Sequence, residues 1–381
     1  MIAGEALLDT FINANILFCV AFLFWSVVRG AMHHSALRHA YGTQLRLLNT
    51  IFIVIVAAPL IVGGFRLLQG AGVASGVSLN LSDMVVAHYL NGGFEMKASE
   101  FEGLVLARDT FIMDVLTGGS FLAKAAIAIF VAGFVLGMVR LIYSMFCLYR
   151  IVAQSYAWRR FGRVRIQLSD RTLVPFSTRG VWNYYVVIPS HMLTASDELK
   201  VSLAHEFQHI RQGDLEWEVL LEALKPLFFL NPAYHAWKRQ VEDLREFNCD
   251  NAVLSRGRIG MRAYCDTLLS VCQTSLRRDR AFVIAVPKVT LVTADRSALR
   301  DGKMSFLEHR ILSVLDTRRI KSERLVFAAV AVPMVAALVL TTLAIQRPGD
   351  WSHDRLMLST VVNLERLDEI NRLSTFGRIR N

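Results

Sequence analysis

Charged side chains are scarce in this chain of 381 residues: they make up 19% of it, whereas 54% of the residues are hydrophobic. Typical soluble domains are about 25% charged and about 45–50% apolar, so this balance favours a protein that faces lipid. Cysteine is sparse as well, and the five cysteines are scattered without a CxxC pair. That usage indicates a reducing compartment and excludes a disulfide-stabilised fold. Polar low-complexity runs are missing, which excludes a disordered chain.

Four apolar runs have few or no charged residues and are long enough to cross a bilayer. They are Phe11–Val28, Leu47–Phe65, Ala125–Tyr149 and Leu325–Ile345. The first run does not resemble a cleavable signal, because the acidic Glu5 and Asp9 precede it and no small-residue cleavage site stands out. The sequence therefore predicts four transmembrane helices.

The distribution of basic residues predicts how these helices are oriented. The charged residues of 29–46 are basic, whereas those of 70–120 are mostly acidic. Residues 150–324 begin and end with groups of arginine. Because basic loops remain in the cytoplasm, we expect 29–46 and 150–324 to be cytoplasmic and both termini to be external. The net charge of +10 then faces the membrane, which favours anionic lipid over nucleic acid as a partner.

The predicted fold is that of a mainly α-helical membrane protein with a cytoplasmic α+β domain between the third and fourth spans. Its segments are two transmembrane helices with a short cytoplasmic loop (1–69), an external loop (70–120), the third transmembrane helix (121–149), the cytoplasmic domain (150–324), the fourth transmembrane helix (325–345) and a short external tail (346–381). The cytoplasmic domain has the size of one catalytic unit.

Strands and helices are both predicted inside the cytoplasmic domain. The strands are Val164–Leu168 and Val181–Ile188, and the second is either an ordinary sheet strand or one that pairs with an extended substrate. Thr194 and Asp197 resemble a capping box, which predicts a helix that continues to about Gln212. Further helices are expected over 214–230 and 233–255, and an amphipathic helix before the fourth span.

The most informative motif is HExxH, formed by His205, Glu206 and His209. Chance would produce it about 0.01 times in a chain of this composition. Histidines four residues apart share one helical face, so both imidazoles can reach one Zn²⁺ ion. Glu206 lies beside them and can accept a proton from a water that the metal activates. The alternative is that these are merely solvated residues of a helix.

A catalytic zinc ion takes three protein ligands and keeps one open position, so a third ligand is required. The candidates are His191, His235, Glu242, Asp243, Glu246 and Asp250. Glu246 and Asp250 share one face of the 233–255 helix, so one could bind the metal while the other orients a ligand. Spacing alone does not choose between Glu242 and Glu246.

Three nearby residues each have two interpretations. Asp214 either orients a zinc-bound histidine or caps the helix that begins after Gly213. Cys249 is either a small core residue or a ligand, and the first is favoured because carboxylates are already available on its helix. His235 either stabilises an oxyanion or packs near a helix start.

The stretches HEFQHIRQGD, FFLNPAYH and EFNCDNAV resemble the zinc protease core of the BlaR/MecR family of membrane metallopeptidases. The placement of the domain between the third and fourth spans is also similar to that family. The resemblance implies a zincin-like domain of the gluzincin type in which His205, His209 and Glu246 bind Zn²⁺. It also implies that Glu206 is the general base and that Asp250 contacts a ligand.

The expected function is a zinc endopeptidase of a bacterial cytoplasmic membrane. The resemblance implies signalling in which it cuts a cytoplasmic protein, either a repressor-like regulator or itself, and it suggests a homodimer. The Arg-rich connector 276–303 is a candidate for self-cleavage. Two alternatives are a constitutive quality-control protease and a catalytically silent receptor or scaffold with structural zinc. Residues 346–381 contain no lysine and hence no Ser-x-x-Lys acylation site, so a penicillin-binding sensor is not expected.

Overall fold

The computed structural model describes residues 2–34, 36–72, 81–93, 95–277, 289–290, 306–315, 323–346 and 353–378. Its α-helices are α1 (Ile2–His33), α2 (Tyr41–Gly70), α3 (Leu81–Leu90), α4 (Ala98–Thr117), α5 (Phe121–Ala153), α6 (Ser196–Gln212), α7 (Asp214–Leu224), α8 (Pro232–Leu254), α9 (Met261–Arg277), α10 (Phe306–Leu315), α11 (Glu323–Ala344) and α12 (His353–Arg378). Its strands are β1 (Tyr156–Phe161), β2 (Val164–Ser169), β3 (Phe176–Arg179), β4 (Tyr184–Pro189) and β5 (Val289–Thr290).

Four of these helices are long and apolar enough to cross a membrane. They cover Gly4–His33, Tyr41–Gly70, Phe121–Ala153 and Arg324–Ala344. Each one contains a predicted apolar run nearly in full, and the helices extend past the runs because their polar ends continue the same helical backbone. The chain therefore has the mainly helical, multi-pass architecture that the sequence predicts.

The five strands form one sheet in the order β1-β2-β4-β3-β5, in which β2 and β4 run parallel and the other neighbours antiparallel. The predicted strand Val181–Ile188 is too long at its start, since β4 begins at Tyr184. Gly180 donates its backbone N–H to the carbonyl of Asn183 in a turn at 2.8 Å, and Trp182 is exposed. Because β4 is an internal strand, it has no free edge for a substrate, and that part of the prediction is wrong.

The helix with the HExxH motif spans Ser196–Gln212, close to its predicted position, but its predicted capping box is wrong. Ala195 occupies the cap position, and no side chain there accepts a helical N–H. The Thr194 hydroxyl instead donates to the carbonyl of His191 at 2.8 Å. Because the helix begins one residue later than predicted, alanine and not threonine stands at the cap position.

The helices after α6 also differ slightly from prediction. The helix predicted over 214–230 ends at Leu224, two residues before Pro226, and turns follow up to Leu230. Pro226 has no backbone N–H with which to continue the helical hydrogen-bond pattern. The Asn231 side chain then accepts the backbone N–H groups at the start of α8, with a proline in the first helical position.

The chain divides into two compact units. The first comprises Met1–Phe24, Thr50–Phe130 and Ala329–Asn381. In it α3, α4 and α12 share an apolar cluster in which the rings of Tyr89 and Phe101 stack at 4.0 Å. The predicted external loop 70–120 and the predicted external tail 346–381 therefore pack against one another.

The second unit comprises Trp25–Asn49 and Val131–Ala328. Its core is formed by the sheet and by α6, α8 and α9, with Val186, Val201 and Leu268 fully buried or nearly so. The segment between the first two spans packs on α8: the Trp25 indole donates to Gln240, and the rings of Tyr41 and Phe247 lie 5.0 Å apart.

Part of α5 also belongs to this second unit. Gly137 lies against Pro226, where an added Cβ atom would come within 3.0 Å of the proline Cβ. An added Cβ at Gly133, one turn earlier, would overlap the ring of Phe229. Two glycines four residues apart thus let the turn after α7 approach the backbone of a membrane-length helix, as small residues do between helices in membranes.

Candidate metal centre

Helix α6 directs two histidines to one point, and helix α8 adds a carboxylate. His205 and His209 are fully buried, and their Nε2 atoms lie 3.0 Å apart. Glu246 places Oε2 3.4 Å from Nε2 of His205 and Oε1 3.6 Å from Nε2 of His209. The structure therefore brings together the three residues that the family resemblance indicates as ligands.

Each histidine makes a further contact through Nδ1, the ring nitrogen that faces away from the shared point. Nδ1 of His209 lies 2.7 Å from Oδ2 of Asp214, and Nδ1 of His205 lies 2.9 Å from the hydroxyl of Tyr264. The Tyr264 hydroxyl in turn donates to Asp250. Since Nδ1 supplies the proton in both contacts, each Nε2 presents a lone pair to the shared point.

Asp214 contacts His209, as the first of its two interpretations predicts. Asp214 is the first residue of α7, and the cap position before it is Gly213, which has φ 75° and no capping side chain. The left-handed backbone at Gly213 ends α6 and begins α7 at once, so Asp214 points back to α6.

The donor set fits a zinc ion. Burial lowers the pKa of His205 to about 3, so its imidazole is neutral and keeps its lone pair. Ligands of a tetrahedral zinc ion lie about 3.3 Å apart, because each bond is about 2.0–2.1 Å long. The observed separations of 3.0, 3.4 and 3.6 Å surround that value.

Cys249 is also close enough to belong to a three-residue group with His205 and His209. Its Sγ atom lies 3.5 Å from Nδ1 of His205, on the side of the ring that Tyr264 occupies. Burial and the nearby carboxylates of Asp250 and Glu246 raise the pKa of this thiol well above its usual value. Glu246 fits the position better, because its oxygens lie beside the Nε2 atoms of the two histidines.

Glu206 lies beside the ligands and is fully buried. Within the described part of the chain, neither of its carboxylate oxygens has a hydrogen-bond partner. Burial raises its pKa to about 8, the nearby Ser177 of β3 opposes that rise, and Glu246 adds to it. A buried carboxylate with free lone pairs and a pKa near neutrality can both accept and return a proton.

Among the remaining candidates for a third ligand, two make side-chain contacts away from the histidine pair. His235 contacts the carbonyl of Phe229 through Nε2 at 3.0 Å, and Glu242 pairs with Lys238. His191 is exposed in the turn before α6. Asp243 is a largely buried carboxyl group, and burial raises its pKa to about 6.

Sequence reasoning missed three residues of this site. Arg310 of α10 donates from Nε and Nη2 to both oxygens of Asp250 at 2.7 and 2.6 Å, and its Nη1 lies 3.1 Å from Oε2 of Glu246. The others are Tyr264 of α9 and Ser177 of β3. The sequence predicts an amphipathic helix before the fourth span, where Arg310 lies. No sequence pattern indicates that this helix contacts α8.

Residues 113–291 match the family described as BlaR1 peptidase M56. Within this segment the chain is similar to the BlaR1-type M56 peptidases. No curated protein matches the chain. The M56 match includes α5, the sheet and α6 to α9, and hence every predicted site residue, whereas Arg310 lies beyond it. The resemblance seen in the motifs is thereby confirmed, and a membrane metallopeptidase is the class that follows from it.

Proposed function

We propose that this protein is a zinc-dependent endopeptidase of the bacterial cytoplasmic membrane that cuts a cytoplasmic protein in a signalling pathway. The observation that supports this most directly is the convergence of His205, His209 and Glu246 next to the unpaired carboxylate of Glu206. A site with structural zinc alone would need no such base.

His205, His209 and Glu246 would hold the metal. When bound, a zinc ion would polarise the scissile carbonyl and activate a water molecule. Glu206 accepts a proton from the attacking water and returns it to the leaving amine. Asp214 and Tyr264 keep the two imidazoles in one tautomer and one orientation throughout.

The side of β3 that faces away from β4 supports binding of the substrate as an added strand, in the place that β5 takes in this structure. β5 pairs antiparallel with β3, with Thr290 opposite Phe176 and Val289 opposite Ser177. Ser177 is the residue that approaches Glu206, so an extended chain on this edge runs close to the catalytic base. Val289 and Thr290 belong to the predicted self-cleavage connector 276–303, most of which lies outside the described residues. This supports the protein itself as one substrate and a repressor-like regulator as another.

The proposed topology places the peptidase in the cytoplasm and both termini outside. It is supported by the charge bias of the loops and by the packing within each unit, because segments that pack together lie on one side of a membrane. Residues 25–49 pack with the peptidase, and residues 70–120 pack with 346–381. Membrane lipid, a protein substrate and a second copy of the chain are the proposed partners, and nucleic acid is not.

The test compares wild type with Glu206→Gln in the native host by mapping newly formed protein N-termini, with Glu242→Gln as the matched control. We expect specific termini to vanish in Glu206→Gln and to persist in Glu242→Gln, while purified Glu206→Gln retains its zinc. Termini that persist in Glu206→Gln would contradict a peptidase. Termini that form at a steady level without any stimulus would instead assign the protein to constitutive quality control.

A further inference from the structure

Arg310 is the most deeply buried cation near the metal centre, with 1% of its side chain exposed. It comes from α10, which follows the connector and precedes α11, a helix of membrane length. Its guanidinium group contacts two carboxylates one turn apart on α8. Nε and Nη2 donate to the two oxygens of Asp250, and Nη1 faces Glu246. Burying an arginine requires that its charge be matched, and these two carboxylates match it.

The contact with Glu246 differs in kind from the contact with Asp250. Both Asp250 oxygens accept hydrogen bonds from Arg310. Oε2 of Glu246 lies 3.1 Å from Nη1 but accepts no hydrogen bond from the described residues. Arg310 thus offsets the charge of Glu246 and leaves the lone pairs of that oxygen free for another cation.

Arg310 also acts on His205 through Asp250. Arg310 and His205 both lie against Asp250, and the Tyr264 hydroxyl bridges that carboxylate to Nδ1 of His205. One guanidinium group therefore fixes two of the three proposed ligands, Glu246 directly and His205 through Asp250.

We infer that Arg310 is a positioning residue for the metal site. It holds Glu246 and, through Asp250, His205 in place for the metal only while α10 is docked on α8. This inference rests on the proposed function. It makes the site responsive to α10: whatever withdraws that helix removes the charge partner of Glu246 and Asp250 together. The chain after the connector is then a component of the metal site.

The experiment measures metal binding by purified full-length protein rather than peptidase activity. Cobalt(II) is the probe, because its visible absorption reports the ligands and their geometry, and affinity is obtained by competition with a chromogenic chelator. The variants are Arg310→Gln, Arg310→Lys and Arg310→Ala, and the matched control is His309→Gln, an exposed neighbour on α10.

We expect Arg310→Gln to bind cobalt about 10–100-fold more weakly than wild type, as for other residues that orient ligands, and to show an altered absorption spectrum. His309→Gln should behave as wild type. Arg310→Lys should recover only part of the affinity, since one ammonium group cannot span both carboxylates. Added guanidinium at millimolar concentration should restore the spectrum of Arg310→Ala, whereas methylammonium should not.

Wild-type affinity and spectrum in Arg310→Gln would overturn the inference. Loss of the fold in all three variants, without rescue by guanidinium, would also overturn it, because it would assign Arg310 to general stability. Failure of the wild-type protein to bind cobalt or zinc would contradict the proposed function itself, which separates the two failures.

Discussion

Two groups of carboxylates lie against α8, and they differ in the cations that surround them. In the first, Glu218, Glu222 and Glu242 surround Lys238, whose Nζ atom lies 3.1 Å from Glu218 and 2.9 Å from Glu222. Arg245 closes this group with a 2.7 Å contact to Glu218. In the second, at the candidate metal centre, the imidazoles of His205 and His209 face one point, with the carboxyl group of Glu206 beside them.

The difference shows how a metal site is distinguished from a cluster of acids. The three glutamates of the first group lie close enough to hold an ion, but Lys238 already occupies their centre. Burial lowers the pKa of Lys238, but the glutamates outweigh it and raise the pKa overall, so the amine stays charged. At the candidate metal centre Arg310 pairs with Asp250 and approaches Glu246, and no lysine or arginine among the described residues lies between the two histidines.

The largest expected effect comes from removing one carboxylate from each group. Glu246→Gln should lose zinc and reduce peptidase activity by roughly 1,000-fold, because a three-ligand site becomes a two-ligand site. Glu242→Gln should keep its zinc and most of its activity. Zinc content and cleavage rate of the purified proteins measure both effects, and equal losses in the two variants would remove the distinction between the groups.

Removing the internal cation tests the first group. Lys238→Met should destabilise the fold by about 3–5 kcal/mol, because the buried carboxylates of Glu218 and Glu222 then lose the ammonium group that lies between them. Lys200→Met is the control, since Lys200 is exposed and its pair with Asp197 contributes little. Thermal unfolding in detergent measures both. An unchanged melting temperature in Lys238→Met would show that the network does not depend on its cation.

Replacing Asp214, which contacts the proposed ligand His209, should weaken metal binding less than replacing a ligand does. Asp214→Asn should weaken metal binding by about 10–100-fold, because an amide does not hold the Nδ1 proton of His209 as a carboxylate does. Asp197→Asn, an exposed change at the start of α6, is the control. Chelator competition gives the affinities, and wild-type affinity in Asp214→Asn would rule out a role for Asp214 in orienting His209.

The smallest effect is expected at the contact between α5 and the turn after α7. Gly137→Ala should destabilise the protein by about 1–3 kcal/mol, since its Cβ would lie 3.1 Å from the Cα atom of Pro226. Gly64→Ala in α2 is the control, because open space surrounds that position and alanine favours a helix. Melting curves that move equally in the two variants would show that the close approach has no energetic weight.

The sequence predicted the parts of this protein that depend on local pattern. Apolar runs identified the spans, and two histidines four residues apart identified the shared face of α6. Glu246 was separated from Glu242 by family resemblance, since both lie on α8 at plausible spacing. In the structure Lys238 lies four residues before Glu242 and pairs with it.

Other parts depend on contacts between distant residues and could not be predicted. Arg310 is separated from Asp250 by a long connector, and nothing in its neighbourhood distinguishes it from the other arginines nearby. Ser177 approaches Glu206 only because β3 lies next to β4 in the sheet, and no strand was predicted there. The predicted capping box is wrong by one residue, since Ala195 and not Thr194 stands at the cap position.

The packing of Trp25 and Tyr41 on α8 has a practical consequence for anyone who isolates the peptidase. A recombinant fragment of residues 150–324 would lose the segment that covers Gln240 and Phe247, and would place that apolar face in water. Such a fragment should aggregate or lose activity even though its HExxH helix is intact. Inhibitor screening and enzymology on this protein therefore call for the intact membrane chain in detergent or nanodiscs.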